Sequence, residues 1–114
     1  MPTWIDLAPL ADLPADGKAC LTPHVDGKPL PVVVLPREGT HHVLANVCPH
    51  AGLPLGEGEV RGLTITCPYH GYTYRITDGQ DLDDPQFGRP ALVYPTRVQN
   101  QTLQINIDPP NRGE

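Results

Sequence analysis

The chain has 114 residues, including eleven glycines and fifteen prolines, and carries a formal charge of −5 at neutral pH. This length suits one domain with a modest core and leaves no room for a separate catalytic domain of ordinary size. Thirteen acidic residues against eight basic ones argue against a nucleic-acid partner, which would require a basic stripe. An acidic protein of this size is expected to dock on a basic partner surface.

The N-terminal segment has neither a basic start nor an unbroken apolar stretch, because Pro9 and Pro14 interrupt it. We therefore expect no signal peptide and no membrane anchor, a cytoplasmic location and a complete chain. Three cysteines cannot form a closed disulfide framework. In a reducing compartment, a group of Cys and His residues more often binds metal or takes part in catalysis.

Apolar residues occur in short runs of strand length, and turn-forming pairs that end in glycine lie between them. The runs are residues 4–7, 19–21, 32–35, 43–47, 63–66, 72–76, 91–94 and the alternating positions 103, 105 and 107. The turn pairs are residues 16–17, 26–27, 38–39, 61–62 and 78–79. No stretch shows a sustained helical period of apolar residues, so the sequence predicts an antiparallel all-β fold, sandwich or barrel.

Two short segments each contain one cysteine and one histidine. Residues 48–50 read Cys-Pro-His, and residues 67–70 read Cys-Pro-Tyr-His after a gap of sixteen residues. Two loops that each supply a thiolate and an imidazole can bind a 2Fe–2S cluster, with both cysteines on one iron and both histidines on the other. The predicted cluster and metal ligands are Cys48, His50, Cys67 and His70.

Proline and glycine shape both segments in the same way. A proline follows each cysteine, and Gly52 and Gly71 permit tight backbone paths that could direct amide N–H groups toward the sulfides of a cluster. The apolar runs 43–47 and 63–66 precede the two segments. We therefore expect both to lie at the tips of hairpins.

Other interpretations of these residues remain open. A structural zinc site also uses two Cys and two His, although zinc modules usually pair Cys with Cys and His with His along the chain. Cys20 lies in a strand-like run and is predicted to be a small buried residue outside the site. The acidic loop formed by Asp78, Asp81, Asp83 and Asp84 is predicted to be a solvated turn rather than a docking site.

From about residue 46 to residue 74, the sequence resembles the Rieske iron–sulfur family, with all four ligand positions matched. The resemblance implies a single domain over residues 1–114 with an antiparallel Rieske-like sandwich or barrel. A small cluster-binding subdomain at about residues 45–76 is expected to be inserted into a base domain of residues 1–44 and 77–107. Residues 108–114 are expected to be a loosely held tail.

The resemblance also implies which residues surround the cluster. Membrane-bound respiratory members carry two further cysteines that join the loops, and this chain has Leu53 and Tyr69 there. Tyr72 replaces a serine that bonds to a sulfide, which favours a potential in the lower part of a range of roughly −150 to +300 mV. Tyr74 matches a tyrosine whose hydroxyl reaches a ligand sulfur. The expected neighbours of the cluster are Gly52, Tyr69, Gly71, Tyr74 and Pro90.

Members without an anchor or a loop disulfide are typically ferredoxins, which carry electrons from a flavin-dependent reductase to an aromatic-ring oxygenase. The resemblance therefore implies an electron-transfer component of aromatic hydrocarbon breakdown rather than an enzyme, with that reductase and oxygenase as partners. The alternative is an accessory Rieske subunit of a reductase, of the nitrite-reductase small-subunit type. A respiratory electron donor and a structural zinc-binding module are remote alternatives. No two-histidine, one-carboxylate set follows His70, which disfavours an oxygenase fragment.

Overall fold

A computed structural model describes residues 3–15, 17–37, 39–49, 52–69, 71–86 and 88–108. Over these residues the chain is built from short strands and two single-turn 3₁₀ helices, Leu10–Asp12 and Leu55–Glu57. The strands are β1 (Trp4–Pro9), β2 (Ala19–Leu21), β3 (His24–Val25), β4 (Lys28–Pro29), β5 (Val32–Arg37), β6 (Thr40–Ala45), β7 (Glu59–Arg61), β8 (Thr64–Thr66), β9 (Thr73–Arg75), β10 (Val93–Tyr94), β11 (Thr96–Gln99) and β12 (Thr102–Asn106). The all-β prediction is confirmed.

The strands form three main sheets and one short hairpin, all antiparallel. The terminal sheet has the order β1-β12-β11, the central sheet has the order β10-β6-β5-β2, and the site sheet has the order β7-β8-β9. Strands β3 and β4 form the hairpin, whose turn is the predicted pair at residues 26–27. None of the helices in the part of the chain that the structure describes is long and apolar enough to cross a membrane.

The central sheet lies between two hydrophobic cores because successive side chains of a strand point to opposite faces. In β5, Val32 and Val34 belong to one core, while Val33 and Leu35 belong to the other. The base core, on the side of the terminal sheet, contains Val32, Val34, Val43, Tyr94, Leu103 and Ile105. The site core, on the side of the site sheet, contains Val33, Leu35, Leu44, Cys48, Leu55, Ile65, Cys67, Tyr74, Ile76 and Ala91.

Two sequence predictions fail in detail around the central sheet. Strand β6 ends at Ala45, so Val47 lies beyond it with 42% of its surface exposed. Cys20 is exposed rather than buried, because its neighbours Ala19 and Leu21 pack against the base core and turn it to the opposite face. The proposed division into subdomains and tail stays a prediction.

Candidate metal centre

The two cysteines of the predicted site lie in the same core. Cys48 comes three residues after the end of β6, and Cys67 directly follows β8. Both side chains are fully buried in the site core, and neither forms a disulfide with another described cysteine. The other two predicted ligands, His50 and His70, lie outside the described residues.

Residues 48–53, here called the first cysteine loop, are closed by two backbone hydrogen bonds. The N–H of Cys48 donates to the carbonyl of Leu53 at 2.8 Å, and the N–H of Gly52 donates to the carbonyl of Cys48 at 2.8 Å. Gly52 adopts φ +68°, a backbone conformation in which a side chain would be strained. The loop therefore turns sharply and returns to its own first residue.

Residues 67–72, here called the second cysteine loop, have the same frame. The N–H of Cys67 donates to the carbonyl of Tyr72 at 2.8 Å, and the N–H of Gly71 donates to the carbonyl of Cys67 at 3.0 Å. Gly71 adopts φ +73°. The two glycine N–H groups thus bond to cysteine carbonyls. They are therefore not available to donate hydrogen bonds to the sulfides of a cluster.

The two loops differ in what they connect. The second cysteine loop joins β8 to its antiparallel partner β9, so the predicted hairpin is confirmed there. The first cysteine loop joins β6 of the central sheet to the 3₁₀ helix Leu55–Glu57 and then to β7 of the site sheet. The hairpin predicted for the first loop is therefore wrong, because β6 pairs with β5 and β10 instead.

Tyr74 supplies a polar contact to one of the thiols. It lies in β9, its side chain is buried, and its hydroxyl oxygen is 3.7 Å from Sγ of Cys48. Burial raises the pKa of the Tyr74 hydroxyl, and the hydrogen bond to Cys48 raises it further. The hydroxyl therefore stays protonated at neutral pH and can donate to the sulfur.

The acidic loop is more ordered than the sequence analysis expected. Asp81 is only 2% exposed, and its Oδ1 accepts the N–H groups of Asp83 and Asp84 at 2.9 and 3.2 Å. Oδ2 of Asp83 accepts the N–H of Thr73 at 2.6 Å, which fixes the loop to β9. The prediction of a solvated turn is wrong for Asp81. Its buried carboxylate accepts backbone hydrogen bonds from its own loop and so stabilises the conformation of that loop.

Tyr69 and Pro90 complete the set of expected cluster neighbours. The Tyr69 side chain is 39% exposed, and its hydroxyl donates to Oε1 of Glu57 at 2.9 Å, a bond that raises the pKa of Tyr69. Pro90 is exposed, but it precedes Ala91, which is buried in the site core and donates its N–H to the carbonyl of Gly79 at 2.8 Å. This segment is therefore held against the same core as the two cysteines.

The donor chemistry of the described residues fits one half of an iron–sulfur centre. Two buried thiols, each in a loop closed by its own backbone, can act as paired thiolate ligands. Within the described ranges, no group of three or more His, Cys, Asp or Glu side chains is placed to hold a metal ion. His50 and His70, the other predicted ligands, lie outside these ranges.

Comparison with known proteins identifies the family. A family model described as Rieske [2Fe-2S] domain matches residues 3–101. The ferredoxin component of the naphthalene 1,2-dioxygenase and salicylate 5-hydroxylase systems of a Ralstonia species is 26% identical over 105 residues, which cover 92% of this chain and 96% of that protein.

Solved structures share the fold. The Sphingomonas yanoikuyae B1 ferredoxin superposes with a TM-score of 0.75 at 23% identity, covering 91% of this chain and 98% of that one. A chain from the complex of reduced oxygenase and oxidised ferredoxin of carbazole 1,9a-dioxygenase superposes with a TM-score of 0.74 at 20% identity. The match covers 90% of this chain and 92% of that one. Because the family model spans most of the sequence and both cysteine loops, the chain belongs to the Rieske [2Fe-2S] domain family, and its cofactor is one Rieske-type 2Fe–2S cluster.

Proposed function

We propose that this chain is a one-electron carrier that serves an aromatic-ring oxygenase, and that Cys48, His50, Cys67 and His70 bind its cluster. The observation that carries the proposal is the pair of buried thiols in one core, held by two loops with the same hydrogen-bond frame. The Ralstonia relative, a ferredoxin component over nearly its whole length, supports the carrier function.

The bound cluster supplies a one-electron couple. Cys48 and Cys67 would hold one iron of the cluster, and His50 and His70 would hold the other. The described residues act by holding the thiolates in place: each loop is tied to its own backbone, and Leu55, Ile65 and Ile76 exclude water around them. A fixed and dry environment limits rearrangement when the charge changes by one.

We place the reduction potential in the low-to-middle part of the family range, roughly −150 to +300 mV. The Tyr74 hydroxyl lies 3.7 Å from Sγ of Cys48, a proposed ligand, and a hydrogen bond donated to a ligand sulfur raises the potential. The amides of Gly52 and Gly71 bond to carbonyl oxygens instead. One hydroxyl donor to a cysteine sulfur therefore gives a modest increase.

We propose a flavin-dependent reductase as electron donor and the terminal oxygenase as acceptor. Three apolar side chains in and beside the cysteine loops are partly exposed: Val47 at 42%, Leu53 at 41% and Tyr69 at 39%. Exposed apolar side chains on and beside the loops proposed to hold the cluster suit brief docking to the oxygenase, because small interfaces dissociate quickly. A cytoplasmic location is also part of this proposal.

A reductive titration tests the proposed function. The purified protein is expected to contain two irons and two sulfides per chain, to be coloured, and to take up one electron with a reduced-state paramagnetic signal. Zinc in place of iron, or uptake of no electron by iron-loaded protein, would refute the carrier. A nitrite-reductase-type subunit would instead co-elute with a large partner when a native extract is fractionated by size.

A further inference from the structure

Each of the two cysteine loops is closed by backbone hydrogen bonds of its own. The four bonds join each cysteine to residues of its own loop. In the part of the chain that the structure describes, no disulfide joins the loops. Contacts with other elements therefore help to set their relative position.

The 3₁₀ helix Leu55–Glu57, here called the bridging turn, lies between the loops in sequence and packs in the site core. Leu55 is fully buried in the site core with both cysteines. The N–H of Gly56 donates to Oδ1 of Asn46 at 2.5 Å, which fixes the turn to the residues just before the first loop. A side chain at Gly56 would also crowd Sγ of Cys20 at 2.7 Å.

The other end of the bridging turn is fixed to the strand that leads into the second loop. Gly58 lies so close to Thr66 that a Cβ at this position would overlap the Thr66 carbonyl. The carbonyl of Gly58 also accepts a hydrogen bond from Nζ of Lys18 at 2.8 Å. Glu57 is thus held on a short segment whose two ends contact the entries to both loops.

From this position, Glu57 reaches across to the second loop. Its Oε1 accepts the hydroxyl hydrogen of Tyr69 at 2.9 Å, across twelve residues of sequence. Tyr69 lies within the second cysteine loop, next to a predicted ligand. The bond thus links the second loop to the element that is itself bonded to the entry of the first.

We propose that the Glu57–Tyr69 hydrogen bond is a latch that holds the two cysteine loops closed over the cluster and slows its loss. Glu57 and Tyr69 are positioning residues in this proposal, which rests on the proposed cluster ligands. Because both side chains are exposed, water competes for the bond. Its effect is therefore expected on the rate of loop opening, and the folding of the base is expected to be unaffected.

The test is a double-mutant cycle on iron-loaded protein. Tyr69→Phe, Glu57→Ala and the double variant are compared with the original protein by the rate at which an iron chelator bleaches the visible absorption. Each single change should accelerate bleaching roughly three- to tenfold, and the double variant should bleach no faster than the faster single one. Far-UV circular dichroism melts check that the base remains folded.

Two further variants control for charge and for surface truncation. Glu57→Gln keeps an acceptor oxygen for the tyrosine hydroxyl, so it should bleach close to the original rate. Glu59→Ala removes a nearby exposed carboxylate that bonds to Arg61 rather than to a cysteine loop, so it should not accelerate bleaching.

Several results would overturn the latch. Unchanged bleaching in Tyr69→Phe, effects of the two single changes that multiply in the double variant, or acceleration in Glu57→Gln equal to that in Glu57→Ala each would do so. Any of these results, obtained with protein that binds iron, would refute the latch and leave the proposed function standing. An original protein that holds no iron refutes both the latch and the proposed function.

Discussion

The base core and the site core share two strands but are built from different kinds of structure. All six buried residues of the base core lie in strands. Of the ten described residues of the site core, five lie outside strands: Cys48, Leu55, Cys67, Ile76 and Ala91. The base core therefore depends on regular pairing, whereas the site core depends on loops held by individual contacts.

This difference shows how a rigid platform can support an irregular site. Strand β5 contributes Val32 and Val34 to the base core and Val33 and Leu35 to the site core, so each core buries one face of the same strand. Damage to the base should lower the stability of the whole molecule. Damage to the site core should additionally affect retention of the cluster.

The largest expected effect separates a proposed ligand cysteine from the cysteine outside the proposed ligand set. Cys67→Ser should lower the iron content below about one tenth of the original value, because a serine hydroxyl is a poor ligand where a soft thiolate is required. Cys20→Ser is the matched control, since Cys20 lies on the exposed face of β2 and should leave the iron content unchanged. Analysis of iron and sulfide per chain measures this difference. A Cys67→Ser variant with the original iron content would contradict the proposed ligand set.

Two buried isoleucines test the comparison of the cores directly. Ile65→Ala in the site core and Ile105→Ala in the base core should each lower the free energy of unfolding by about 2–5 kcal/mol, because both side chains are fully buried. Only Ile65→Ala should accelerate chelator bleaching, since Ile65 lies two residues before Cys67. Urea titrations measure the free energy of unfolding, and absorption measures the bleaching rate. Equal bleaching rates in the two variants would contradict a separate role of the site core in retaining the cluster.

Tyr74 gives a smaller effect that is confined to the site. Tyr74→Phe removes the hydroxyl 3.7 Å from Sγ of Cys48 and keeps the buried ring. The reduction potential should fall by on the order of a few tens of mV, which corresponds to the loss of one ordinary hydrogen bond in a one-electron couple. Voltammetry measures the change, and an unaltered potential would mean that this hydroxyl does not interact with the ligand sulfur.

The smallest effect is expected in the base, far from the cysteines. The two-residue turn between β11 and β12 has Asn100 at φ +52° and Gln101 at φ +61°, where glycine is favoured. Gln101→Gly should raise the free energy of unfolding by about 0.5–1 kcal/mol, without changing bleaching or potential. Gln101→Ala is the control, because alanine keeps the Cβ that causes the strain. A gain in the alanine variant as large as in the glycine variant would contradict this cause.

Much of the fold could be predicted because a strand with buried side chains appears in the sequence as a short run of apolar residues. The run 19–21 coincides with β2, and the run 32–35 lies within β5. Strand β7 escaped prediction because it is short and mostly exposed, so its residues show no apolar alternation. It pairs with β8, a contact that local sequence does not reveal.

The spacing of Cys and His predicts the site. The glycines of the two cysteine loops predict tight backbone turns, and their positive φ values agree with this. What the sequence could not reveal depends on distant pairing. The bond of Tyr69 to Glu57 and the buried position of Asp81 both arise from tertiary contacts between segments that have no local pattern in common. The first cysteine loop was assigned to a hairpin for the same reason, since local sequence does not state which strand β6 pairs with.

The most direct test of the proposed ligand set is pulsed electron paramagnetic resonance of the reduced protein, grown with ¹⁵N-labelled histidine. We expect two strong histidine nitrogen couplings in the original protein, and one after His50→Cys. Protein that contains two irons per chain but shows no histidine nitrogen coupling would contradict ligation by His50 and His70.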